Sequence, residues 1–345
     1  MKSVVIVAAA RSPIGSFNGG LASFSAPDLG AMAIREVLKR GSVAPGQVDE
    51  VIMGNVLTAG EGQAPARQAA LKAGLPEKTP STTVNKVCAS GMKAVMYAAN
   101  QIMSGEADII VAGGMESMSN VPYYLPKMRN GARLGHAEVQ DGIIKDGLWD
   151  VYKDYHMGNA GELCAEECKI SREDQDAFAI DSYKKSIEAN KNGWLNDEMF
   201  HVKITDRKGN VTMIEEDEEL GKVNFAKIPS LKPVFKKDGT ITAANASSIN
   251  DGSAALLVMS EEKANELGLK PLARILGQAS AAKAPEWFTT APADAMPIAL
   301  KRAGKTIADM DLFEINEAFS VVVLANNQIL GLDANKVNIH GGAVS

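Results

Sequence analysis

The first third of the sequence alternates short, continuously apolar segments with longer segments whose apolar residues recur at helical spacing. The apolar segments include VVIVAAA near the start, VDEVIMGNV at 48–56 and DIIVAGG at 108–114. Strands that are apolar throughout are typical of a sheet that is covered by helices on both faces. The alternation therefore predicts an α/β fold with a mainly parallel sheet and with helices around Leu29–Lys39 and over 90–103.

Cys88 lies between a strand-like run, TTVNKV at 82–87, and the helix-like segment 90–103. A thiol at such a turn lies close to unpaired N–H groups and to the positive end of the helix dipole, which favour the thiolate and lower the thiol pKa. The pattern therefore predicts a nucleophile that can carry an acyl group as a thioester. The alternative is a buried structural cysteine, which is common for free thiols.

The bulk composition is ordinary for a soluble globular protein, with 345 residues, 46% of them hydrophobic and 23% charged. A net charge of −6 argues against nucleic-acid partners. Three cysteines form no disulfide framework, which favours a reducing compartment. Cys164 and Cys168 share a helix face and are interpreted as small packed residues, not as zinc ligands.

The N-terminal run MKSVVIVAAARSPIG is too short to span a membrane and is a poor signal peptide. Together with the cysteine content, this predicts a protein without a membrane partner, either cytoplasmic or in the mitochondrial matrix as a mature form.

The composition changes near residue 120, and the stretch 120–246 is rich in Gly, Lys, Asp, Asn and Pro. It contains one well-marked helix, which Ser171 and Asp174 are predicted to cap. Loops of this length usually have a function, so this stretch is predicted to be a loop domain over the active site. Residues 1–119 and 247–270 are predicted to form an N-terminal domain, and residues 271–345 a C-terminal domain with the same βαβ style.

Several separated motifs occur together in the chain: VNKVCASGMKA (84–94), VAGGMESMSN (111–120), YHMG (155–158), ITAANASSINDG (241–252), FEINEAFS (313–320) and KVNIHGGAVS at the end. In this order they closely resemble the thiolase family, and in particular its acetoacetyl-CoA-specific members. The resemblance implies a layered fold of two similar βαβ sheet-and-helix units with a loop-rich covering domain. It also implies an acyltransferase that condenses two acetyl-CoA molecules into acetoacetyl-CoA and CoA, or catalyses the reverse thiolysis, in lipid metabolism.

The resemblance also implies roles for individual residues. Cys88 takes the acetyl group, Asn316 holds a water in an oxyanion hole, and Ser247 binds the pantetheine arm of CoA. His156 lines the acyl pocket with Met157, which favours a short acyl chain. Its imidazole can polarise the thioester oxygen, so His156 is expected to be catalytic together with Cys88 and Asn316. The other implied substrate-binding positions are the pocket walls Leu148, Phe235, Ala318 and Phe319, the nucleotide segment Lys222, Val223, Asn224 and Lys227, and also Tyr183 and Ala243.

No cofactor is expected to be required, but some relatives bind potassium. Their site uses a tyrosine side chain and backbone carbonyls, and hard monovalent cations suit such oxygen ligands. This chain matches the pattern at Tyr183, Ala243, Ala244, Ala246 and Val344. Related enzymes are homodimers or homotetramers, so a homo-oligomer is expected.

The sequence ends at Ser345, whereas the GGAVS run of thiolases continues into a GHP segment and, later, a second cysteine. These supply the groups that activate the nucleophile and that act as acid and base. The chain is therefore predicted to be C-terminally incomplete and, as given, to show little turnover. His340 precedes GGA, where relatives usually carry Asn, and is interpreted as a loop variant and not as a substitute base.

Two alternatives remain open at the sequence level. A decarboxylating ketoacyl synthase would need a pair of histidines, and the NEAF motif speaks against it. A non-catalytic acyl-CoA-binding or assembly subunit of the same fold would explain the missing acid/base residues, but the intact Cys88 and Asn316 motifs oppose it.

Overall fold

A computed structural model describes residues 2–345, and the chain forms two units. The first unit comprises the chain up to Gly147 together with Asn196–Glu218 and Asn250–Ile275. The second unit comprises Leu148–Leu195, Glu219–Ile249 and Leu276–Ser345.

The strands in chain order are β1 (Val4–Arg11), β2 (Gly15–Ser16), β3 (Glu50–Gly54), β4 (Ser81–Val84), β5 (Ile109–Ser117), β6 (Tyr123–Tyr124), β7 (Gln140–Asp141), β8 (Trp149–Asp150), β9 (Tyr155–His156), β10 (Val202–Thr205), β11 (Val211–Ile214), β12 (Asn250–Ser260) and β13 (Ala273–Arg274). The α-helices are α1 (Ala26–Arg40), α2 (Pro65–Lys72), α3 (Ser90–Ser104), α4 (Met157–Cys168), α5 (Arg172–Lys191), α6 (Glu261–Glu266), α7 (Ala291–Arg302) and α8 (Ser320–Leu330). Shorter 3-10 turns include Phe225–Ser230 and Pro285–Thr290, and a π-helical turn covers Ile143–Leu148.

The first unit contains a mixed sheet with the strand order β13-β1-β12-β5-β3-β4. Strands β5, β3 and β4 are parallel, as the sequence predicts, but β12 is antiparallel to both of its neighbours, β1 and β5. The prediction of a mainly parallel sheet is therefore wrong for this half of the sheet. Apolar periodicity gives no strand direction, and β12 joins the sheet from a distant part of the sequence.

Helices cover both faces of this sheet. On β3, Val51 and Met53 pack into the cluster that contains α1 and α2, whereas Ile52 packs into the cluster that contains α3. Alternate residues of one strand are thus buried on opposite faces, which explains why the strand is apolar throughout. Burying each of these side chains stabilises the fold by roughly 1.5–3 kcal/mol.

The second unit is mainly helical, and α4 and α8 share a core that includes Cys164, Ile241 and Phe319. Helix α5 begins after Ser171, whose side chain forms the predicted capping box with Asp174.

Residues 313–318 (FEINEA) form no regular strand and pair only through an isolated parallel bridge between Phe313 and Val337. Regular pairing stops at Asn338, which has a positive φ of 46°. The side chain of Asn338 instead makes two hydrogen bonds to the backbone of Ile315. Its Oδ1 accepts from Ile315 N at 2.8 Å, and its Nδ2 donates to the Ile315 carbonyl at 2.9 Å.

The stretch 120–246, predicted as one loop domain, is divided between the two units. The part around β10 and β11 belongs to the first unit because Arg11 forms ion pairs with Glu198 at 2.6 Å and with Asp217 at 2.8 Å. Helices α4 and α5 belong to the second unit. The domain boundaries inferred from sequence stay a prediction. No helix within residues 2–345 combines the length and apolar character needed to cross a bilayer.

Candidate active site

Cys88 lies in the turn of residues 85–90, here called the Cys88 turn, which joins β4 to α3. Cys88 as a residue is exposed to solvent, which does not fit a fully buried structural cysteine, although the protein around the turn partly desolvates its thiol. Inside the turn, Asn85 Oδ1 accepts a hydrogen bond from Val87 N at 3.0 Å. Ser90 Oγ accepts from Lys86 N at 2.8 Å and donates to the Val87 carbonyl at 2.6 Å. The turn is thus held by its own side chains.

Val87 directly precedes the thiol and has a φ of +50°, in the left-handed region. A β-branched residue rarely adopts this conformation, and such strain is concentrated at functional sites. Glycines let the first turn of α3 lie directly on the sheet. A Cβ at Gly54 would be 2.6 Å from the amide nitrogen of Gly91.

The pKa of the Cys88 thiol is raised above its usual value. Desolvation by the surrounding protein is the main cause, the backbone N–H of Cys88 lowers the pKa, and the charge of Glu116 raises it again. The expectation that the helix N-terminus lowers this pKa is therefore not met. The resting group is a protonated thiol at neutral pH, and its attack on a substrate requires a base.

Two acidic residues that contact Asn55 were not predicted from the sequence. Glu116, at the end of β5, accepts hydrogen bonds from Asn55 Nδ2 at 2.9 Å and from the backbone N–H groups of Val56 and Leu57 at 2.9 and 3.0 Å. Glu61 contacts Asn55, and burial, followed by the charge of Glu116, raises the pKa of Glu61 to about 7. Each could have been noticed in the sequence as a single acidic residue in a segment without other charges. Glu116 lies in VAGGMESMSN and Glu61 in TAGEGQAP.

In the second unit, the structure brings His156, Phe235 and Phe319 together. The rings of His156 and Phe235 stack with centroids 4.6 Å apart, and Phe235 meets Phe319 edge-on at 6.2 Å. His156 caps α4, and its Nδ1 accepts a hydrogen bond from Gly158 N at 3.0 Å. Burial lowers the pKa of His156. The neutral imidazole therefore bears its proton on Nε2 and can donate it to a ligand.

The other predicted wall residues lie near this group in the chain. Leu148 immediately precedes β8, whose Trp149 pairs with His156 of β9, and Met157 is the first residue of α4. The carbonyl of Ala318 accepts a hydrogen bond from Ser247 N at 3.1 Å.

Asn316 is exposed, between two buried residues, Ile315 and Glu317. The Glu317 carboxylate accepts hydrogen bonds from Ser182 Oγ at 2.8 Å, Asn338 Nδ2 at 2.8 Å and Val344 N at 3.1 Å. Glu317 was not predicted from the sequence, although it adjoins Asn316 in the same motif. Its hydrogen bonds fix the backbone next to Asn316.

The loop with Ser247 is fixed by Asn245. The Asn245 side chain accepts from Thr242 N at 2.8 Å and donates to Asp176 Oδ1 at 2.9 Å and to the Thr240 carbonyl at 3.0 Å. Ser247 itself is exposed and available to a ligand.

The predicted nucleotide segment is largely solvent-facing. Lys222, Asn224 and Lys227 are exposed, and Lys222 pairs with Glu219 at 3.3 Å. Val223 packs against the cluster of Ala179, Tyr183 and Val344.

The predicted potassium ligands all lie in the second unit. Tyr183 is buried against Val344, and burial, followed by the charge of Glu219, raises the pKa of Tyr183. Ala246 lies in an isolated antiparallel bridge with Phe319, and Ala243 is exposed. Among residues 2–345 there is no group of three or more His, Cys, Asp or Glu side chains suited to a metal.

Comparison with known proteins gives a consistent result over the whole chain. Residues 4–262 match the thiolase N-terminal domain and residues 269–345 match the thiolase C-terminal domain. A probable acetyl-CoA acetyltransferase of Dictyostelium discoideum is 55% identical over 345 residues, which are 100% of this chain and 83% of the relative. A cytosolic acetyl-CoA acetyltransferase of Gibberella zeae is 51% identical, over 99% of this chain and 86% of the relative. A mitochondrial acetyl-CoA acetyltransferase of Danio rerio is 53% identical, over 100% of this chain and 82% of the relative. These matches show that the chain belongs to the thiolase family.

Proposed function

We propose that this chain is an acetyl-CoA C-acetyltransferase, which condenses two acetyl-CoA molecules into acetoacetyl-CoA and CoA or catalyses the reverse thiolysis. The observation that carries the proposal is the solvent-exposed residue Cys88, held on a fixed, strained turn at the start of α3 in a member of the thiolase family. The names of the relatives, at 51–55% identity, support the choice of acetyl-CoA as the substrate.

In the first step, the sulfur of Cys88 bonds to the thioester carbonyl carbon of acetyl-CoA, the bond to the CoA sulfur breaks, and CoA leaves with a proton. Because the surroundings raise the pKa of the thiol, a base must remove its proton as the sulfur attacks. In the second step, a base takes an α-proton from another acetyl-CoA, and the resulting carbanion takes the acetyl group from Cys88. Acetoacetyl-CoA forms and the thiolate is released.

The second unit contains polar groups of the kind that stabilise negative charge on a thioester oxygen. We assign Asn316 to a water-mediated contact and the Nε2–H of His156 to a direct one, since Nδ1 is already used by Gly158 N. The stacked Phe235 and the edge-on Phe319 fill the space beside His156, which favours a two-carbon acyl group over longer chains. Leu148, Met157 and Ala318 complete this proposed acyl pocket.

We assign the pantetheine arm of CoA to Ser247 and the phosphates to Lys222 and Lys227, with Val223 and Asn224 beside the adenine. The exposed amine groups of the lysines support this assignment. Lys227→Gln should raise the KM for acetyl-CoA about 2–5-fold without changing kcat, since a surface ion pair is worth up to about 1 kcal/mol. An unchanged KM would remove this lysine from the site.

We also infer a potassium site that uses the Tyr183 hydroxyl and the carbonyl oxygens of Ala243, Ala244, Ala246 and Val344. These are neutral oxygen donors, and the charge near Tyr183 from Glu219 adds the attraction that a monovalent cation needs. Bound potassium would order the loop that contains Ser247. At equal ionic strength, KCl should raise the melting temperature above its value in NaCl, and Tyr183→Phe should abolish the difference. Equal melting temperatures of the wild type in both salts would argue against the site.

We propose a homodimer or homotetramer, to be tested by light scattering after size-exclusion chromatography. A monomer at micromolar concentration would contradict it. The relatives' names include a cytosolic and a mitochondrial form, and we propose one of these two compartments for this protein.

The decisive test is intact-protein mass spectrometry after incubation with acetyl-CoA. The protein should gain one acetyl group, located on the peptide with Cys88. The gain should be absent in Cys88→Ala and present in the matched variant Cys168→Ala. Binding of acetyl-CoA without any acetylation would favour the alternative of a non-catalytic acyl-CoA-binding or assembly subunit.

A further inference from the structure

Glu162 is a buried acid in the second turn of α4, and the proposed chemical steps make no use of it. It is 5% exposed. Its carboxylate accepts hydrogen bonds from Thr240 N at 2.8 Å, Thr240 Oγ1 at 2.9 Å and Ile241 N at 2.8 Å. Hydrogen bonds to a charged acceptor are stronger than those between neutral groups. Both carboxylate oxygens are thus engaged, and the acid joins α4 to residues 240–241.

These two residues end a short loop, residues 234–241, here called the Phe235 loop. The loop closes on itself, because Val234 N donates to the Ile241 carbonyl at 3.0 Å. It also lies close against the acid, since a Cβ at Gly239 would be 2.4 Å from Glu162 Oε1. The position of the loop is therefore set by its contact with the Glu162 carboxylate.

The Phe235 loop supplies one of the rings beside the proposed acyl pocket. Phe235 follows Val234 in the loop and stacks on His156 with centroids 4.6 Å apart. His156 is the N-cap of α4, so it belongs to the same helix as Glu162. The carboxylate thus fixes the loop relative to the helix that holds the imidazole.

The exposed side of the Phe235 loop has a second contact with α4. Lys236 Nζ lies 2.9 Å from Glu166 Oε2, and the two side chains are 53% and 66% exposed. Surface ion pairs of this kind contribute little. The buried acid is therefore the contact that holds the loop.

We propose that Glu162 is a positioning residue for the acyl pocket: by binding Thr240 and Ile241 it holds Phe235 against His156 and so sets the size of the space for the acyl chain. The proposal rests on the proposed function, in which the two rings line that pocket.

The first test follows the His156 imidazole by NMR of protein labelled with ¹³C-histidine, at pH 8, above the range in which histidine titrates. The resonances are assigned as those missing in His156→Asn. Phe235→Leu removes the stacked ring and gives their positions without it. Glu162→Gln replaces one acceptor oxygen by a donor NH₂ group, which loosens the Phe235 loop. Its resonances should lie roughly half-way or more towards those of Phe235→Leu.

Glu166→Gln is the matched control, because Glu166 lies one turn further along α4 and contacts the same loop from the exposed side. Its His156 resonances should equal those of the wild type. If it moves them as far as Glu162→Gln does, the charge of α4 and not the buried contact sets the position of the loop, and the proposal is wrong.

Gly239→Ala disturbs the same contact from the loop side and keeps the acid, so it replaces Glu162→Gln if that variant does not fold. Its added Cβ should move the His156 resonances in the same direction. Wild-type resonances in either folded variant would overturn the proposal.

The second test compares the acylation rates of Cys88 by acetyl-CoA and by butanoyl-CoA, measured by intact-protein mass spectrometry. Glu162→Gln should lower the ratio of the two rates about threefold or more, because one methylene in an apolar pocket changes selectivity about 10-fold or more. A variant that is only less stable loses both rates by the same factor and keeps the ratio. An unchanged ratio would therefore contradict the positioning role.

The two tests separate this proposal from the proposed function. If the wild type is acylated by neither thioester while the His156 resonances respond as expected, the proposed function is wrong and the placement of Phe235 by Glu162 stands. If acylation occurs but neither the ratio nor the resonances change in Glu162→Gln, only the positioning role is wrong.

Discussion

The imidazole ring of His156 lies nearly parallel to the phenyl ring of Phe235, with an interplanar angle of 23° and centroids 4.6 Å apart. Gly158 makes this stacking possible, because a Cβ at this position would lie 2.3 Å from two ring atoms of Phe235. The two rings in turn define one wall of the proposed acyl pocket. The absence of a side chain at residue 158 is thus a condition for the shape of that pocket.

Gly158→Ala should therefore displace Phe235 and lower stability by about 1–3 kcal/mol, the usual cost of overpacking. The measurement is the free energy of unfolding in urea. Gly221→Ala is the matched control, because a Cβ at Gly221 meets nothing within 4 Å. Equal stability of the two variants would show that Phe235 moves without cost.

The second prediction concerns the pH dependence of stability at His156. Burial lowers the pKa of His156 in the folded state, whereas the unfolded chain keeps the ordinary value of 6.5. As the pH falls through the unfolded value, the unfolded chain takes up the proton first, so the folded state loses stability relative to it. The contribution of the neutral ring is present above this pH and is lost as the pH falls towards the folded pKa.

His156→Asn keeps a side-chain acceptor for Gly158 N but does not titrate. The melting temperature of the wild type relative to this variant should fall between pH 7.5 and pH 5.5. His136→Asn, at an exposed histidine, serves as the control. A difference that is constant over this range would contradict the lowered pKa.

The third prediction concerns Glu317, which is 1% exposed and accepts bonds from three donors. In Glu317→Gln, an amide NH₂ group replaces one carboxylate oxygen. The donors that bonded this oxygen then face another donor and lose their acceptor. Leaving buried donors unpaired costs about 1–3 kcal/mol, so unfolding in urea should occur at a correspondingly lower concentration.

The same change should speed amide hydrogen exchange in residues 313–318, because the backbone beside Asn316 loses its anchor. Glu167→Gln, at an exposed glutamate of the same unit, should change neither quantity. Unaltered stability of Glu317→Gln would show that the buried hydrogen bonds contribute nothing net.

Local sequence signals predicted the helices well. Apolar residues at helical spacing mark α1 and α3, and Ser171 with Asp174 forms the predicted capping box of α5. The signals for each helix lie within that helix and its flanking residues, so they can be read from one continuous segment of sequence.

Features that depend on distant residues were not accessible in this way. The raised pKa of Cys88 arises from desolvation by the surrounding protein and from the charge of Glu116, which neighbours the turn only after β5 joins the sheet. Glu317 finds its partner Ser182 across 135 residues of sequence. The order of the motifs identified the family, but the sign of the electrostatic effect at the thiol required the folded sheet.

The last prediction concerns the strained backbone at Val87, which has a φ of +50° and is 43% exposed. The left-handed conformation costs an ordinary L-residue roughly 1–2 kcal/mol, whereas Asn tolerates it better. Since the side chain is partly exposed, little buried apolar area is lost on substitution. Val87→Asn should therefore raise the free energy of unfolding, by up to about 1 kcal/mol.

Val211→Asn provides the comparison, because Val211 is 54% exposed on β11, where Asn is disfavoured. This variant should be unchanged or slightly less stable. If Val87→Asn is destabilised as much as Val211→Asn, the strain at the Cys88 turn is compensated within the turn itself. If it is stabilised but reacts more slowly with iodoacetamide, the strained residue holds Cys88 in its reactive position at a cost in stability, which is the behaviour expected of a functional turn.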